Sequence, residues 1–147
     1  MDIYAVTPDG KTWHQLVKTE RGFTGPAFIP GGSRCAWAEG QDTAADLRKD
    51  RFGIWKLKLG EFKITNGVPS VTAIKDITPA QTNWVEPGNF ASDSVSLLLT
   101  ADQGMTDARG QDQYILNIKT GALKNLTNSP KVWDECVAVN VTANWRL

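Results

Sequence analysis

Two short segments place a tryptophan next to carboxylates. They are Trp84-Val85-Glu86 and Trp133-Asp134-Glu135, and their tryptophans lie 49 residues apart. If the fold brings these carboxylates together, they suit a cation such as calcium or a basic peptide segment. The indole faces offer surfaces on which a ligand can stack. The sequence therefore predicts a ligand-binding set made of Trp84, Glu86, Trp133, Asp134 and Glu135. The competing interpretation, which is the commoner role of large aromatics in repeats, is that the tryptophans pack and the acids keep a rim solvated.

Residues for covalent or metal catalysis are scarce. His14 is the only histidine, so a histidine-based zinc or copper cluster lacks its ligands, and no G-x-S-x-G motif supports a serine nucleophile. Cys35 and Cys136 are the only cysteines and have no CxxC-like spacing, which predicts packed thiols rather than a disulfide framework. We expect no catalytic residue, no resident metal and no cofactor, with calcium as the one ion that the acids would suit.

The charge balance bears on the class of partner. Sixteen basic residues match sixteen acidic ones in a chain of 147 residues, giving a net charge of zero. A nucleic-acid or anionic-membrane surface needs a basic excess, so neither partner is expected. No apolar run approaches the roughly 20 residues of a membrane-spanning helix. Because a strand pattern begins at Asp2, no signal peptide is expected in these residues.

The elements that would position these residues are strands in a repeating order. Three segments alternate around an aromatic residue, reach a glycine-containing turn and continue into a second short strand, which is the pattern of a hairpin. They begin at Asp2, Gly53 and Gln113, and their turns are predicted at Pro8-Asp9-Gly10, Leu59-Gly60 and Lys119-Thr120-Gly121. A second hairpin precedes two of these segments, and Phe23, Trp84 and Trp133 are aligned as equivalent positions.

Repetition of such hairpin pairs favours an all-β propeller with blades of four antiparallel strands. Blades stacked around an axis cover both faces of each sheet, whereas one sheet alone cannot. A β-sandwich is the alternative that alternation leaves open. The predicted organisation is a single partial propeller over 1–147, with an outer hairpin at 2–17, blades at 23–78 and 84–127, and the innermost strand of the next blade at 133–147.

The repeats resemble those of the TolB family of propellers. The resemblance lies in Asp2-Ile3-Tyr4-Ala5-Val6-Thr7-Pro8-Asp9-Gly10 and in the segment from Gly25 to Trp37, although Gly31 stands where the repeat usually has Asp and the final copy has lost the signature. The resemblance implies a six-bladed ring and a binding role, and it suggests a periplasmic or other extracytoplasmic location, which the residues themselves leave unknown.

About three blades are present, so a closed ring would require residues beyond these or self-association of the chain. The function expected is a non-enzymatic binding or scaffold module that uses a propeller face, or the mouth of the central channel, for a protein or peptide partner. The alternative is the propeller part of a hydrolase or lyase acting on peptides or glycans, because propellers of this kind accompany separate catalytic domains in enzymes resembling prolyl oligopeptidases.

Overall fold

A computed structural model describes residues 2–19, 22–41, 53–105, 110–129 and 131–134. These ranges contain ten strands and no helix, and accordingly no helix in them is long and apolar enough to cross a membrane. The strands are β1 (Ile3–Val6), β2 (Trp13–Val17), β3 (Phe23–Phe28), β4 (Arg34–Gly40), β5 (Trp55–Thr65), β6 (Val68–Asp76), β7 (Val85–Phe90), β8 (Ser96–Ala101), β9 (Asp112–Asn117) and β10 (Leu123–Asn125).

The strands form antiparallel sheets in chain order. Strands β3 to β6 make one four-stranded sheet, β7 to β10 make a second, and β1 pairs with β2 alone. We call these sheets blade 2, blade 3 and blade 1, respectively. The expected fold class, all-β with blades of four antiparallel strands in a partial propeller, is confirmed.

One predicted turn is wrong. Leu59-Gly60 was expected to end a short strand, but β5 runs through both residues, with Leu59 opposite Ala36 and Gly60 opposite Cys35. The chain reverses instead at Asn66-Gly67, where both residues have positive φ, 53° and 78°. An Asn-Gly pair readily adopts the left-handed conformation that a two-residue hairpin turn requires, and this signal outweighs the isolated glycine.

Gly60 serves packing rather than chain reversal. A Cβ built on Gly60 would lie 2.4 Å from Val71 Cγ1 and 3.2 Å from the Trp37 ring. We expect Gly60→Ala to lower the free energy of unfolding by about 2 kcal/mol, because overpacking a core displaces its neighbours. Urea denaturation measures the loss, and a second substitution, Val71→Ala, should restore part of it by removing the nearest methyl group. Equal losses in the single and double variants would contradict this account.

The blades stack face to face. The forward face of a blade is the one that packs on the following blade, and the backward face packs on the preceding one. Strand β7 of blade 3 lies against β3, β4 and β5 of blade 2. The core of this seam combines forward residues of blade 2 with backward residues of blade 3: Ala27, Ala36, Ala38, Leu57, Leu59, Val85, Phe90, Leu97, Leu99, Ala101, Tyr114 and Leu116.

A smaller core joins blade 1 to the backward face of blade 2. Ile3 and Val17 of blade 1 are buried against Cys35 and Trp37 of β4. Burial raises the pKa of the Cys35 thiol to about 11, so this cysteine is a packed and unreactive thiol, as its sequence context predicts. Cys136 lies outside the described residues.

In both complete blades, a threonine that follows the outermost strand, β6 or β10, makes the same hydrogen bond to the neighbouring strand. In blade 2 the Thr78 hydroxyl accepts a hydrogen bond from the backbone N–H of Leu57 at 2.9 Å. In blade 3 the Thr127 hydroxyl accepts one from the N–H of Gln113 at 3.1 Å. These two bonds make Leu57 and Gln113 equivalent positions, which fixes the register for comparing the blades.

Of the last predicted unit, the innermost strand at 133–147, residues 135–147 lie outside the described part of the chain. Within that part, Trp133 forms an isolated parallel bridge with Gln111.

Candidate functional site

The candidate site lies on the forward face of blade 3, where the chain passes from β8 to β9. Its backbone frame repeats one found in blade 2. The N–H of Trp55 donates to the Asn83 carbonyl at 2.6 Å, and the N–H of Gln111 donates to the Val132 carbonyl at 3.3 Å. Because Trp55 precedes Leu57 by two residues and Gln111 precedes Gln113 by two, these bonds are equivalent. Residues 131–134 therefore make the same backbone contact with blade 3 that the segment before β7 makes with blade 2.

Five equivalent positions on the two forward faces differ in polarity. In blade 2 one of the five residues, a threonine, carries a hydroxyl and none carries a carboxylate or an amide, whereas in blade 3 all five carry a carboxylate, a hydroxyl or an amide. The blade 2 residues are Thr24, Ala38, Gly40, Trp55 and Leu57, and the corresponding blade 3 residues are Glu86, Thr100, Asp102, Gln111 and Gln113. Four of the blade 3 residues are buried, namely Thr100, Asp102, Gln111 and Gln113. Buried polar groups cost stability, so a polar seam in place of an apolar one indicates a specialised surface.

Trp84 is buried at the entrance to β7. Its backbone N–H donates to Asp102 Oδ1 at 2.9 Å, and the Asp102 N–H donates back to the Trp84 carbonyl at 3.2 Å. These bonds place Trp84 beside Asp102. Because Ala101 pairs with Asp112, the next residues along the two strands, Asp102 and Gln111, continue the row across the end of the sheet.

The expected equivalence of Trp84 with Phe23 is wrong by one residue. Phe23 lies opposite Glu39, and Val85 lies opposite Ala101, so Trp84 corresponds to Gly22. A Cβ on Gly22 would lie 3.3 Å from Cη2 of Trp55. In blade 2 the ring of Trp55 therefore reaches the space next to Gly22. In blade 3 the large residue is Trp84, at the position of Gly22, and the position of Trp55 is taken by Gln111.

Glu86 and Asp134 lie at the two ends of one polar row. Glu86 is half-buried and pairs with Thr100, which pairs with Gln113. The Thr100 hydroxyl donates to Gln113 Oε1 at 3.1 Å, and Gln113 Nε2 donates to the Asp134 backbone carbonyl. The structure thus links the two predicted acidic segments through a pair of buried polar side chains. Glu135 lies outside the described residues.

Gln111 supplies an unmatched hydrogen-bond acceptor beside an exposed indole. Its side chain is 2% exposed, and its Oε1 atom has no hydrogen-bond partner among the described residues. Trp133 is directly paired with it and is 40% exposed. Directly paired residues carry their side chains on the same side of the backbone. A buried carbonyl oxygen without a donor costs about 1–3 kcal/mol, which a ligand donor would recover.

Asp112 and Ser129 hold the other side of this frame. Asp112 is buried and accepts hydrogen bonds from Asn125, Thr127 and Ser129, the last through both its N–H (2.8 Å) and its hydroxyl (3.1 Å). The Ser129 hydroxyl also contacts Asp134 Oδ2. Burial acts to raise the pKa of Asp112, but the hydrogen bonds from Asn125, Ser129 and Thr127 outweigh it and hold the pKa below its usual value. Asp112 is therefore an ionised structural anchor for the turn that leads to Trp133.

No cluster of three or more His, Cys, Asp or Glu side chains suited to a metal ion occurs in the described ranges. Calcium binding thus stays a prediction that involves Glu135. His14 lies half-buried on β2, opposite Ala5.

Sequence reasoning missed Gln111, Gln113 and Thr100. Thr100 and Gln113 lie within strands, Gln111 lies just before one, and none of the three belongs to a recognisable sequence motif. The signal that could have found them is an alignment of the two blades in the correct register. In that alignment Gln111 occupies the position of Trp55, and Gln113 occupies the position of Leu57.

Comparison with solved structures adds a distant likeness. No protein-family model matches the chain, and no curated protein matches it. Among solved structures, the crystal structure of TolB from Acinetobacter baumannii is 14% identical with a TM-score of 0.35, over 88% of this chain. The chain spans 38% of the length of that protein.

Proposed function

We propose that the chain is a non-enzymatic binding module that takes a basic protein or peptide segment at the end of blade 3. The observation that carries the proposal is the buried, unpartnered Oε1 atom of Gln111 beside the exposed indole of Trp133. An ammonium or guanidinium group supplies the donor that Gln111 lacks, and it is attracted by an aromatic face.

The surrounding charge supports a basic ligand. Glu86 and Asp134 lie at the two ends of the polar row that contains Thr100 and Gln113. Two acidic residues in this row favour a cationic ligand over an anionic one, since the net charge of the chain is zero and gives no preference of its own. The proposed ligand-contacting residues are Trp84, Glu86, Gln111, Trp133, Asp134 and Glu135.

A lysine peptide tests the proposal directly. We expect an octalysine peptide with blocked ends to quench tryptophan fluorescence on binding, and the same peptide with acetylated lysines to bind at least roughly tenfold more weakly, a difference of about 1.4 kcal/mol. Glu86→Gln and Asp134→Asn should each cost a similar factor. Glu61→Gln is the control, because Glu61 is an exposed acid on β5 whose carboxylate lies 3.1 Å from Lys63 Nζ. Equal weakening by the control, or equal binding of both peptides, would refute the proposal.

Gln111→Leu separates binding from folding. Leucine removes the buried oxygen that has no donor, so we expect unchanged or higher resistance to urea together with weaker binding of octalysine. A variant that is destabilised by 2 kcal/mol or more, or one that binds octalysine as the parent chain does, would show that Gln111 has a structural role instead.

A further inference from the structure

The backbone around Gln111 fixes the position of its side-chain oxygen. The N–H of Gln111 donates to the Val132 carbonyl at 3.3 Å, and its carbonyl accepts from the N–H of Asp134 at 3.0 Å. These two bonds lie on either side of Trp133. Because both backbone groups of Gln111 are hydrogen-bonded, the residue is held in place while its Oε1 atom has no hydrogen-bond partner in the part of the chain that the structure describes. An amide oxygen has two lone pairs, so this atom can accept a hydrogen bond from a ligand.

The other amide of the polar row differs from Gln111 in this respect. Gln113 Oε1 accepts from the Thr100 hydroxyl at 3.1 Å, and Gln113 Nε2 donates to the Asp134 carbonyl. Both ends of the Gln113 amide are therefore engaged within the seam, whereas the oxygen of Gln111 retains its capacity to accept.

The burial of Gln111 makes an N–H group on the ligand favourable. Gln111 is 2% exposed, so the cost of removing water from its oxygen is met when the chain folds. A ligand N–H that reaches this oxygen gives up only its own hydrogen bond to water, and hydrogen bonds from charged donors are among the stronger ones. A cation without an N–H gains no such bond.

The indole of Trp133 imposes no requirement for an N–H group. Trp133 is 40% exposed and pairs directly with Gln111. The face of an aromatic ring attracts a cation through its charge, and quaternary ammonium groups bind to aromatic faces as well. The two neighbouring residues therefore respond differently to methylation of a lysine, because the contact with the indole survives it and the hydrogen bond to Oε1 is lost.

We infer that the site takes cationic groups that carry an N–H, such as the ammonium of unmodified lysine, and rejects the quaternary ammonium of trimethyl-lysine. This selectivity rests on the proposed function, since it concerns the same site, and it adds the methylation state of the ligand as a determinant of binding. Trimethyl-lysine keeps its positive charge, so the carboxylates of Glu86 and Asp134 attract both forms.

Isothermal titration calorimetry of the 147-residue chain with three end-blocked octapeptides tests the inference. The peptides are octalysine, the same peptide with every lysine trimethylated, and the same peptide with every lysine acetylated. We expect the trimethylated peptide to bind at least roughly fivefold more weakly than octalysine. In Gln111→Leu this ratio should fall close to one, because the oxygen that distinguishes the two peptides is gone. In Trp133→Leu, the matched control, both peptides should bind more weakly by a similar factor and the ratio should persist.

Far-ultraviolet circular dichroism monitors the folding of both variants, and the comparison of peptides on the parent chain decides the question without either variant. Equal binding of octalysine and the trimethylated peptide, with the acetylated peptide weaker than both, would overturn the inference and leave the proposed function standing. A ratio that is lost in Trp133→Leu as completely as in Gln111→Leu would also overturn it, because the indole would then be the group that distinguishes the peptides. Failure of octalysine to bind would overturn the proposed function, and this selectivity with it.

Discussion

Truncation of Trp37 to alanine is expected to destabilise the chain by about 3–5 kcal/mol, the range for large aromatic residues in a core. Trp37 is fully buried between blades 1 and 2, and its Nε1 donates to Glu39 Oε1 at 2.8 Å. The substitution removes both the packing and the donor, so the seam loses its largest side chain.

Urea denaturation followed by circular dichroism measures this loss. Trp37→Phe should retain most of the packing and lose the hydrogen bond, giving an intermediate value. Ile64→Ala is the control on an exposed position, where a change within about 0.5 kcal/mol is expected. A Trp37→Ala variant as stable as that control would show that blade 1 does not depend on this seam.

Replacement of Asp112 by alanine is expected to cost about 3 kcal/mol, because the buried donors of Asn125, Thr127 and Ser129 lose their common acceptor. Asp93→Ala is the matched control. Asp93 also accepts hydrogen bonds, from Val95 and Ser96, but it lies in an exposed turn where water replaces the carboxylate. We expect the control to lose less than half as much, and similar losses in both variants would contradict the special role of Asp112.

Asp112 also predicts an acid dependence of stability. Its pKa is lower in the folded chain than in the unfolded one, so the stability that its charge contributes is present above the unfolded value of about 3.9 and is lost as the pH falls through the folded value. Asp112→Asn cannot titrate, so the difference in unfolding free energy between it and the parent chain should shrink below about pH 4. A constant difference between pH 7 and pH 2.5 would show that the charge of Asp112 contributes nothing.

Periodicity and glycine-containing turns predicted most of the strands, because each hairpin is encoded locally. The error at Leu59-Gly60 arose because a glycine is required there by the close packing of Val71 and Trp37. These two residues are distant from Gly60 in sequence, so their contact with it cannot be read from the local pattern. The Asn66-Gly67 turn was readable from its own two residues and was overlooked.

The candidate site was only partly predictable. Tryptophan next to acids marked Trp84, Glu86, Trp133 and Asp134, and the structure links the two segments. Gln111 could not be recognised, because its significance lies in an unpaired buried oxygen, and hydrogen-bond pairing is a property of three-dimensional neighbours.

The row of residues at the end of the sheet, from Gly22 to Trp55 in blade 2 and from Trp84 to Gln111 in blade 3, constrains how these sequences can diverge. In blade 2 the bulky ring of Trp55 extends toward Gly22, and in blade 3 the bulky residue is Trp84 while Gln111 takes the other end. A tryptophan introduced at position 22 would collide with Trp55, because a Cβ there already lies 3.3 Å from its Cη2 atom. We therefore expect each blade of a related chain to carry a large side chain at only one end of this row.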